Sequence, residues 1–253
     1  MIILDIKNRD LIQKKESLEQ EKKILSKNKD QGNFEKSKNL SKQLDEFFSQ
    51  HEKIQIEIDT ILSNIPNIAL PDVPIGADEN FNKLIRKEGN VRNFSFNIRS
   101  HSELGEISDG IDFKSSIKLS GSRFVVLKDK YALLERALIN FMLDTHTNRH
   151  EYKEISPPLI VNEEVMFGTG QLPKFEDDQF ELKLESSSKR KFLIPTAEVV
   201  LTNLFRESNI EYKNLPLRFV ASTPCFRKEA GSYGKDTKGI MRQHQFYKVE
   251  LVS

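Results

Sequence analysis

Leu4, Leu11, Leu18 and Leu25 recur every seven residues through a stretch otherwise filled with Lys, Glu, Gln and Asp, which is the seam of a coiled-coil helix. A second seam follows. It places Leu40, Phe47, Ile54 and Ile61 at one heptad position and Leu44, His51, Ile58 and Ile65 four residues on, with His51 as its polar break. Asp30-Gln31-Gly32-Asn33 between the two has the turn chemistry to reverse the chain, so the pattern predicts an antiparallel helical hairpin. A helix of about 30 residues extends on the order of 45 Å. A hairpin that long cannot bury itself in a globule and is expected to project. Pro66, Pro71 and Pro74 stop the second helix. A domain boundary is therefore expected near residue 70, dividing 1–69 from 70–253.

Beyond the prolines the pattern changes. Residues 83–100 read as a short strand and a loop, and His101 to Glu106 as a turn of helix. Arg123 to Lys128 reads as a strand, followed by Tyr131, Leu134, Leu138, Phe141 and Met142 at the three-and-four spacing of an amphipathic helix. In HEYKEISPPLIV, Pro157-Pro158 reads as a strand terminator. Phe167 to Phe175, FGTGQLPKF, is glycine-rich but lacks the lysine-serine ending of a phosphate loop. Thr196 is placed to cap a helix through Phe205, with Glu198 in its first turn.

Thr223 to Glu250 holds most of the chemistry, and reads as a strand, a loop and a returning strand. Two-residue spacing puts Arg227 and Glu229 on one face and Phe226 and Lys228 on the other. On the return arm Arg242, His244, Phe246, Lys248 and Glu250 share one parity. A face carrying an arginine, an aromatic ring and a carboxylate suits a ligand better than a core. The loop between, Ala230 to Gly239, has three glycines, two lysines and Asp236, a composition suited to a polyphosphate or an RNA end. An ordinary hairpin with a cross-strand ion pair would give the same pattern.

Composition narrows the class. At 253 residues the chain can bury a sizeable core. It has no run of eighteen apolar residues, and MIILDIKNRD lacks the apolar stretch of a secretory signal, so a cytoplasmic protein without a membrane is expected. One cysteine, Cys225, excludes an internal disulfide or a multi-cysteine zinc site. The net charge of +1 does not announce a polyanion binder. Locally, Lys22 to Lys42 carries seven lysines against Asp30 and Glu35, at the tip of the expected hairpin. That cluster reads either as a solvated helical face or as the tip of an arm reaching for a polyanion, and the hairpin itself also fits a dimerisation coiled coil.

FRKEAGSYGKDTKG followed by RQHQFYKVE resembles motif 2 of class II aminoacyl-tRNA synthetases, in the wording of the bacterial-type seryl-tRNA synthetase family. Pro158 matches the proline of motif 1, GTGQLPKF matches a segment lining or covering the site, and Thr196-Ala197-Glu198 matches the family's TAE. The resemblance implies an α+β fold: an N-terminal antiparallel two-helix coiled-coil arm, then a partial class II antiparallel-sheet catalytic domain. It implies serine activation with ATP to seryl-adenylate and transfer to tRNA(Ser), with Mg²⁺ as counter-ion, and a homodimer through motif 1. On this likeness Arg227 and Arg242 are catalytic, and Arg227, Lys228, Glu229, Arg242, Gln243 and Phe246 bind ATP. Thr196, Ala197, Glu198, Arg227 and Glu250 hold serine. Lys22, Lys23, Lys27, Lys29, Lys36 and Lys38 contact tRNA. No metal ligand is identified in the chain. Departing from the family pattern, the sequence stops after motif 2, before motif 3, and begins late before the first helix. It is therefore expected to be inactive alone, the alternative being a non-catalytic tRNA-binding or dimerisation protein derived from such a synthetase.

Overall fold

The computed structural model describes residues 1–25, 31–184, 189–230 and 239–253, without the side chains of 31–34. It divides into two compact units, Met1–Ile85 and Arg86–Ser253, a division later than residue 70 that keeps the proline-rich segment with the hairpin.

The first unit is built on α1 (Ile2–Leu25) and α2 (Gln31–Asn64). The Asn8 side chain donates to Gln55 at 3.2 Å, and the Lys15 ammonium sits 4.9 Å from the Phe48 ring centre. Moving seven residues forward on one helix moves the contact seven residues back on the other, so the pair is antiparallel. Leu11, Leu40 and Ile58 are buried at the seam, whereas Leu4, Leu18, Leu25, Leu44, Phe47, His51, Ile54 and Ile61 are half-buried, because two helices cover each other on one side only. Gln31, Gly32 and Asn33, expected in a turn, belong to α2 instead. One glycine costs a helix only about 1 kcal/mol, which a helix of this length absorbs. Asp30, Lys27 and Lys29 lie outside the described residues. After Asn64 the prolines end the helix as expected, and Asp78 caps a single 3-10 turn by accepting the Asn80 N–H at 2.9 Å.

No strand forms over 82–99, where one was expected. Leu84, Ile85 and Val91 are exposed, and an extended segment with no neighbour to complete its ladder does not become a strand. The second unit's first helix, α3 (His101–Ile107), opens on a capping box. Ser100 N–H donates to the Glu103 carboxylate at 2.7 Å, and Glu103 N–H donates to Ser100 Oγ at 3.3 Å. β1 (Ile111–Asp112) leads to α4 (Phe113–Ser120), capped by Asp112, and pairs antiparallel with β2 (Val126–Leu127). The strand expected over Arg123–Lys128 shrinks to those two residues, since Arg123 adopts a left-handed φ of 61° that a pleat cannot accommodate.

α5 (Asp129–Arg149) has the expected apolar stripe, yet none of its residues is buried, and Leu134, Leu138 and Phe141 lie largely open. β3 (Lys153–Glu154), β4 (Ile160–Asn162), α6 (Glu163–Gly168), β5 (Glu181–Leu182), β6 (Lys191–Leu193), α7 (Glu198–Asn203), β7 (Phe219–Phe226) and β8 (Gln245–Val252) complete the unit. One sheet runs β3-β7-β8, with β3 parallel to β7 and β8 antiparallel to it; another runs β4-β6-β5, all antiparallel. The β7–β8 ladder registers Phe219 with Val252 through to Phe226 with Gln245. Pro224 is tolerated in β7 because β3 pairs only at Phe219 and Val220, so no ladder bond from β3 needs an N–H at position 224.

Two apolar clusters meet at the β6–α7 join. Val161, Met166, Leu172, Phe192, Ile194, Val199 and Val200 form one; Ala197, Leu201, Phe219 and Ala221 form the other, extended by Phe205 stacked on Phe219 at 5.6 Å. The chain from Ile194 to Leu201 alternates between them. Its polar members, Thr196 and Glu198, are thereby set against a rigid support.

Candidate active site

A cavity of about 360 Å³ opens over that join, lined by Gln171, Phe175, Asp178, Gln179, Pro195, Thr196, Glu198, Arg227, Glu229 and Lys248. Thr196 reaches it from the β6–α7 join, with Arg227 and Glu229 from the chain leaving β7 and Lys248 from β8. Register makes this meeting possible. Ala221, Thr223 and Cys225 stand opposite Glu250, Lys248 and Phe246, so the three β8 side chains and those of β7 share one face.

Thr196 is 4% exposed, and its hydroxyl is the hub of the polar network. It donates to Glu250 Oε2 at 2.7 Å, accepts from Lys248 Nζ at 2.9 Å, and accepts the Glu198 N–H at 3.2 Å. Lys248 and Glu250 are also ion-paired. The capping role read from sequence is present in that last bond, although the residue at the helix boundary is Ala197 and α7 ends at Asn203, before Phe205. Thr196 carries the cap and the network at once. Glu198 is exposed at the cavity, while Ala197 is buried in the apolar cluster.

Arg227 enters from one step beyond β7. Its Nε donates to the Pro195 carbonyl at 3.4 Å, and its guanidinium lies 5.3 Å from the Phe246 ring centre. The backbone continues the pairing, with Arg227 N–H to His244 O at 2.9 Å and His244 Nδ1–H to Arg227 O at 2.9 Å. The pleated-strand argument for Arg227 and Glu229 needs correction, because β7 stops at Phe226 and Glu229 has a left-handed φ of 52°. A non-glycine residue there costs roughly 1–2 kcal/mol. What brings both side chains to the cavity is this turn of the backbone, not strand parity.

Glu229 Oε2 lies 3.0 Å from Arg242 Nη1. Lys228 is exposed, 5.9 Å from the Phe180 ring centre and outside the cavity lining. Gln243 and Phe246 border a second cavity of about 480 Å³, with residues of α4, β2 and α5, and Gln243 Nε2 is buried there with no partner. The structure thus brings Thr196, Glu198, Arg227 and Glu229 together in one cavity, with Glu250 joined through Thr196. Lys228, Arg242, Gln243 and Phe246 surround it. The loop expected to supply mobile charge falls almost wholly at 231–238, outside the described residues.

Sequence reading missed Asp178, Gln179 and Pro195. It places Lys248 on the ligand-facing parity with Glu250 but gives it no role there. Asp178 and Gln179 gave no signal, for they are brought in by a 3-10 turn, Glu176–Asp178, held from outside by Arg190, which bonds Glu163, Glu176 and Glu181 together. Those carboxylates, Glu181 foremost, push the Arg190 guanidinium up and keep it charged at every accessible pH. Cys225, buried under Thr223, has its thiol pushed up by burial and takes no charged role. No group of three His, Cys, Asp or Glu able to hold a metal occurs among the described residues.

Residues 180–253 match the model of the tRNA synthetase class II core domain (G, H, P, S and T). The serine–tRNA ligase of Pelagibacter ubique (strain HTCC1062) is 61% identical over 253 residues, which are 100% of this chain and 60% of that protein. The chain is similar to serine–tRNA ligases along its whole length. The serine–tRNA ligase of Brucella canis (strain ATCC 23365 / NCTC 10854 / RM-666) is 48% identical over 264 residues, with 61% of its length covered. The chain therefore spans about three fifths of the length of the curated relatives it matches. Among solved structures, the seryl-tRNA synthetase of Pyrococcus horikoshii complexed with ATP superposes with a TM-score of 0.84 at 33% identity, covering 99% of this chain and 61% of that one. The cytoplasmic serine–tRNA ligase of Naegleria fowleri in complex with AMP gives 0.80 at 26%, covering 99% and 58%. The α+β architecture with an N-terminal helical hairpin is shared with these solved structures, and the sheets contain one parallel strand pair. No described helix is long and apolar enough to cross a membrane.

Proposed function

We propose that the cavity binds ATP and serine and that the chain carries the adenylate-forming half of a serine–tRNA ligase. The observation that supports this best is the Arg227 guanidinium, fixed by Pro195 O and the Phe246 ring, beside the Thr196–Glu250–Lys248 network in one cavity. A planar fork can bridge an α-phosphate oxygen and the attacking carboxylate at once, which a lysine cannot. Serine's carboxylate attacks the α-phosphorus, the bond to the β-phosphate oxygen breaks, and pyrophosphate leaves with that electron pair. Arg227 needs no proton change in this step; it holds two anions together and spreads their charge. Glu229 offers a carboxylate to the adenine amino group, and Arg242, paired with it, faces the phosphates. Thr196, Glu198 and Glu250 supply oxygens for serine's hydroxyl and ammonium. Mg²⁺ enters as part of the MgATP substrate, held chiefly by the phosphates.

The chain acts as a homodimer through α5 and the Pro158 region, a reading supported by the open Leu134, Leu138 and Phe141. The hairpin tip, with Lys22, Lys23, Lys36 and Lys38, contacts tRNA(Ser); Lys27 and Lys29 of the same group lie outside the described residues. Replacing Lys23, Lys36 and Lys38 by Glu should weaken tRNA retention on a filter at least tenfold and leave ATP binding unchanged.

The deciding experiment is serine-dependent exchange of labelled pyrophosphate into ATP, run with this chain and with a form extended by any downstream coding sequence. Exchange by either supports the reading. Absence of exchange from both, with tRNA still retained, would instead favour a tRNA-binding protein without catalysis.

A further inference from the structure

Past Phe226 and Gln245 only the Arg227–His244 bonds continue the β7–β8 pairing, yet the next residues hold a defined path in which Glu229 is left-handed. The partners that fix it come from two distant parts of the chain. The Asp178 carbonyl accepts the Lys228 N–H at 2.8 Å, and Asp178 Oδ1 accepts the Ala230 N–H at 2.8 Å. Between those two bonds, the Glu229 carbonyl accepts from Arg123 Nη1 at 3.0 Å. Arg123 also grips the opposite arm, its own carbonyl accepting the His244 N–H at 2.9 Å. Three backbone groups around Glu229, the Lys228 N–H, the Glu229 carbonyl and the Ala230 N–H, are thus each taken by a residue outside the hairpin. The Glu229–Ala230 peptide plane is held at both its carbonyl and its N–H, the Arg227–Lys228 plane is held at its N–H, and the Glu229 carboxylate is directed to the cavity and to Arg242.

We propose that Asp178 and Arg123 are positioning residues that set Glu229, and with it the nucleotide side of the cavity, before any ligand arrives. This rests on the reading of that cavity as an ATP site. The geometry has a clear alternative to suppress: an ordinary residue at position 229 prefers extended backbone, and relaxation of Glu229 from its left-handed φ to that conformation would re-aim its side chain. Asp178 opposes that relaxation because it holds the Lys228 N–H before Glu229 and the Ala230 N–H after it. Arg123 blocks it from the carbonyl side. A carboxylate accepting a backbone N–H is among the stronger hydrogen bonds, and the 3-10 turn bearing Asp178 is itself anchored through Glu176 to Arg190.

The test uses the chain with Asp178→Ala, Asp178→Asn and Arg123→Ala, reading amide hydrogen exchange at Ala230 by NMR, MgATP affinity by calorimetry, and Tm. In Asp178→Ala, Ala230 exchange should accelerate at least tenfold while the Cys225 amide in β7 is unchanged, and MgATP affinity should fall about tenfold or more. Asp178→Asn keeps an oxygen at the same place and should restore both to within about threefold of the parent. Arg123→Ala should weaken MgATP affinity in the same direction, and it keeps the test open if Asp178→Ala does not fold. Unchanged exchange and affinity in both alanine variants would overturn the proposal. So would an asparagine variant no better than alanine, which would make Asp178 a charge and not a positioning group. A purely structural role would lower Tm and leave the affinity of the folded molecules intact. If the parent itself does not bind MgATP, the ATP reading fails, while Ala230 exchange still decides whether Asp178 holds the turn.

Discussion

Thr196 shows how much one hydroxyl can organise. It closes the first turn of α7, donates to Glu250 and accepts from Lys248, so removing it would leave a carboxylate and an ammonium to rearrange in a cavity. In the proposed reaction Arg227 bridges the two anions. In a form that supports exchange, Arg227→Ala should slow serine-dependent pyrophosphate exchange by about 10²–10³, the usual cost of one preorganised charge-stabilising group; near-normal exchange would remove Arg227 from the reaction. Asp112 supplies a pH test away from the cavity. The Lys128 hydrogen bond, aided by Ser115 N–H and hydroxyl, holds its carboxyl well below the usual range. A depressed folded pKa means that Asp112 stabilises the fold above its unfolded pKa of about 3.9, and that this contribution is lost as pH falls toward the folded value. Asp112→Asn should therefore melt below the parent at pH 7, with the gap in Tm narrowing below about pH 4. A gap that stays constant would count against the Lys128 pairing.

At the scale of elements, α7 is short but wedged between two apolar clusters, with Val199 and Val200 in one and Ala197 and Leu201 in the other. Leu201 has no exposed surface, and Leu201→Ala should cost 2–5 kcal/mol, roughly the range for a buried leucine. Chemical denaturation would measure it. Because Thr196 stands on this support, ligand affinity should fall along with stability. The β7–β8 pair was legible in the sequence because both arms are long, apolar on alternate positions and joined by a glycine-rich loop. Parity on β8 correctly grouped Phe246, Lys248 and Glu250. It failed for Arg227 and Glu229, since nothing in FRKEA announces that the strand ends at Phe226 or that Glu229 turns left-handed. The strand expected within 83–100 failed for a related reason. Strand formation needs a partner, and partners are chosen by tertiary packing.

At the scale of the molecule, the two units should unfold as separate transitions, since the first is held by a helix seam around Leu11, Leu40 and Ile58 and both apolar clusters lie in the second. The open face of α5 carries Leu134, Leu138 and Phe141 with nothing of the second unit over them. If it is a homodimer surface, Leu138→Glu with Phe141→Glu should convert a dimer to a monomer in sedimentation velocity while far-ultraviolet circular dichroism stays constant; a parent already monomeric at micromolar concentration would refute that role.

The sequence by itself determined the helical hairpin, the stop at the prolines, the α5 helix, the long strand pair and the residue types at the cavity. Each follows from a local period, a cap or a breaker that acts over a few residues. Tertiary structure alone decided which residues meet. Asp178 stands 50 positions from Lys228 and 52 from Ala230, and Arg123 reaches Glu229 across 106. Such contacts leave no periodic trace, because the spacing between their partners is set by the path of the whole chain around two cores, not by any repeat within an element.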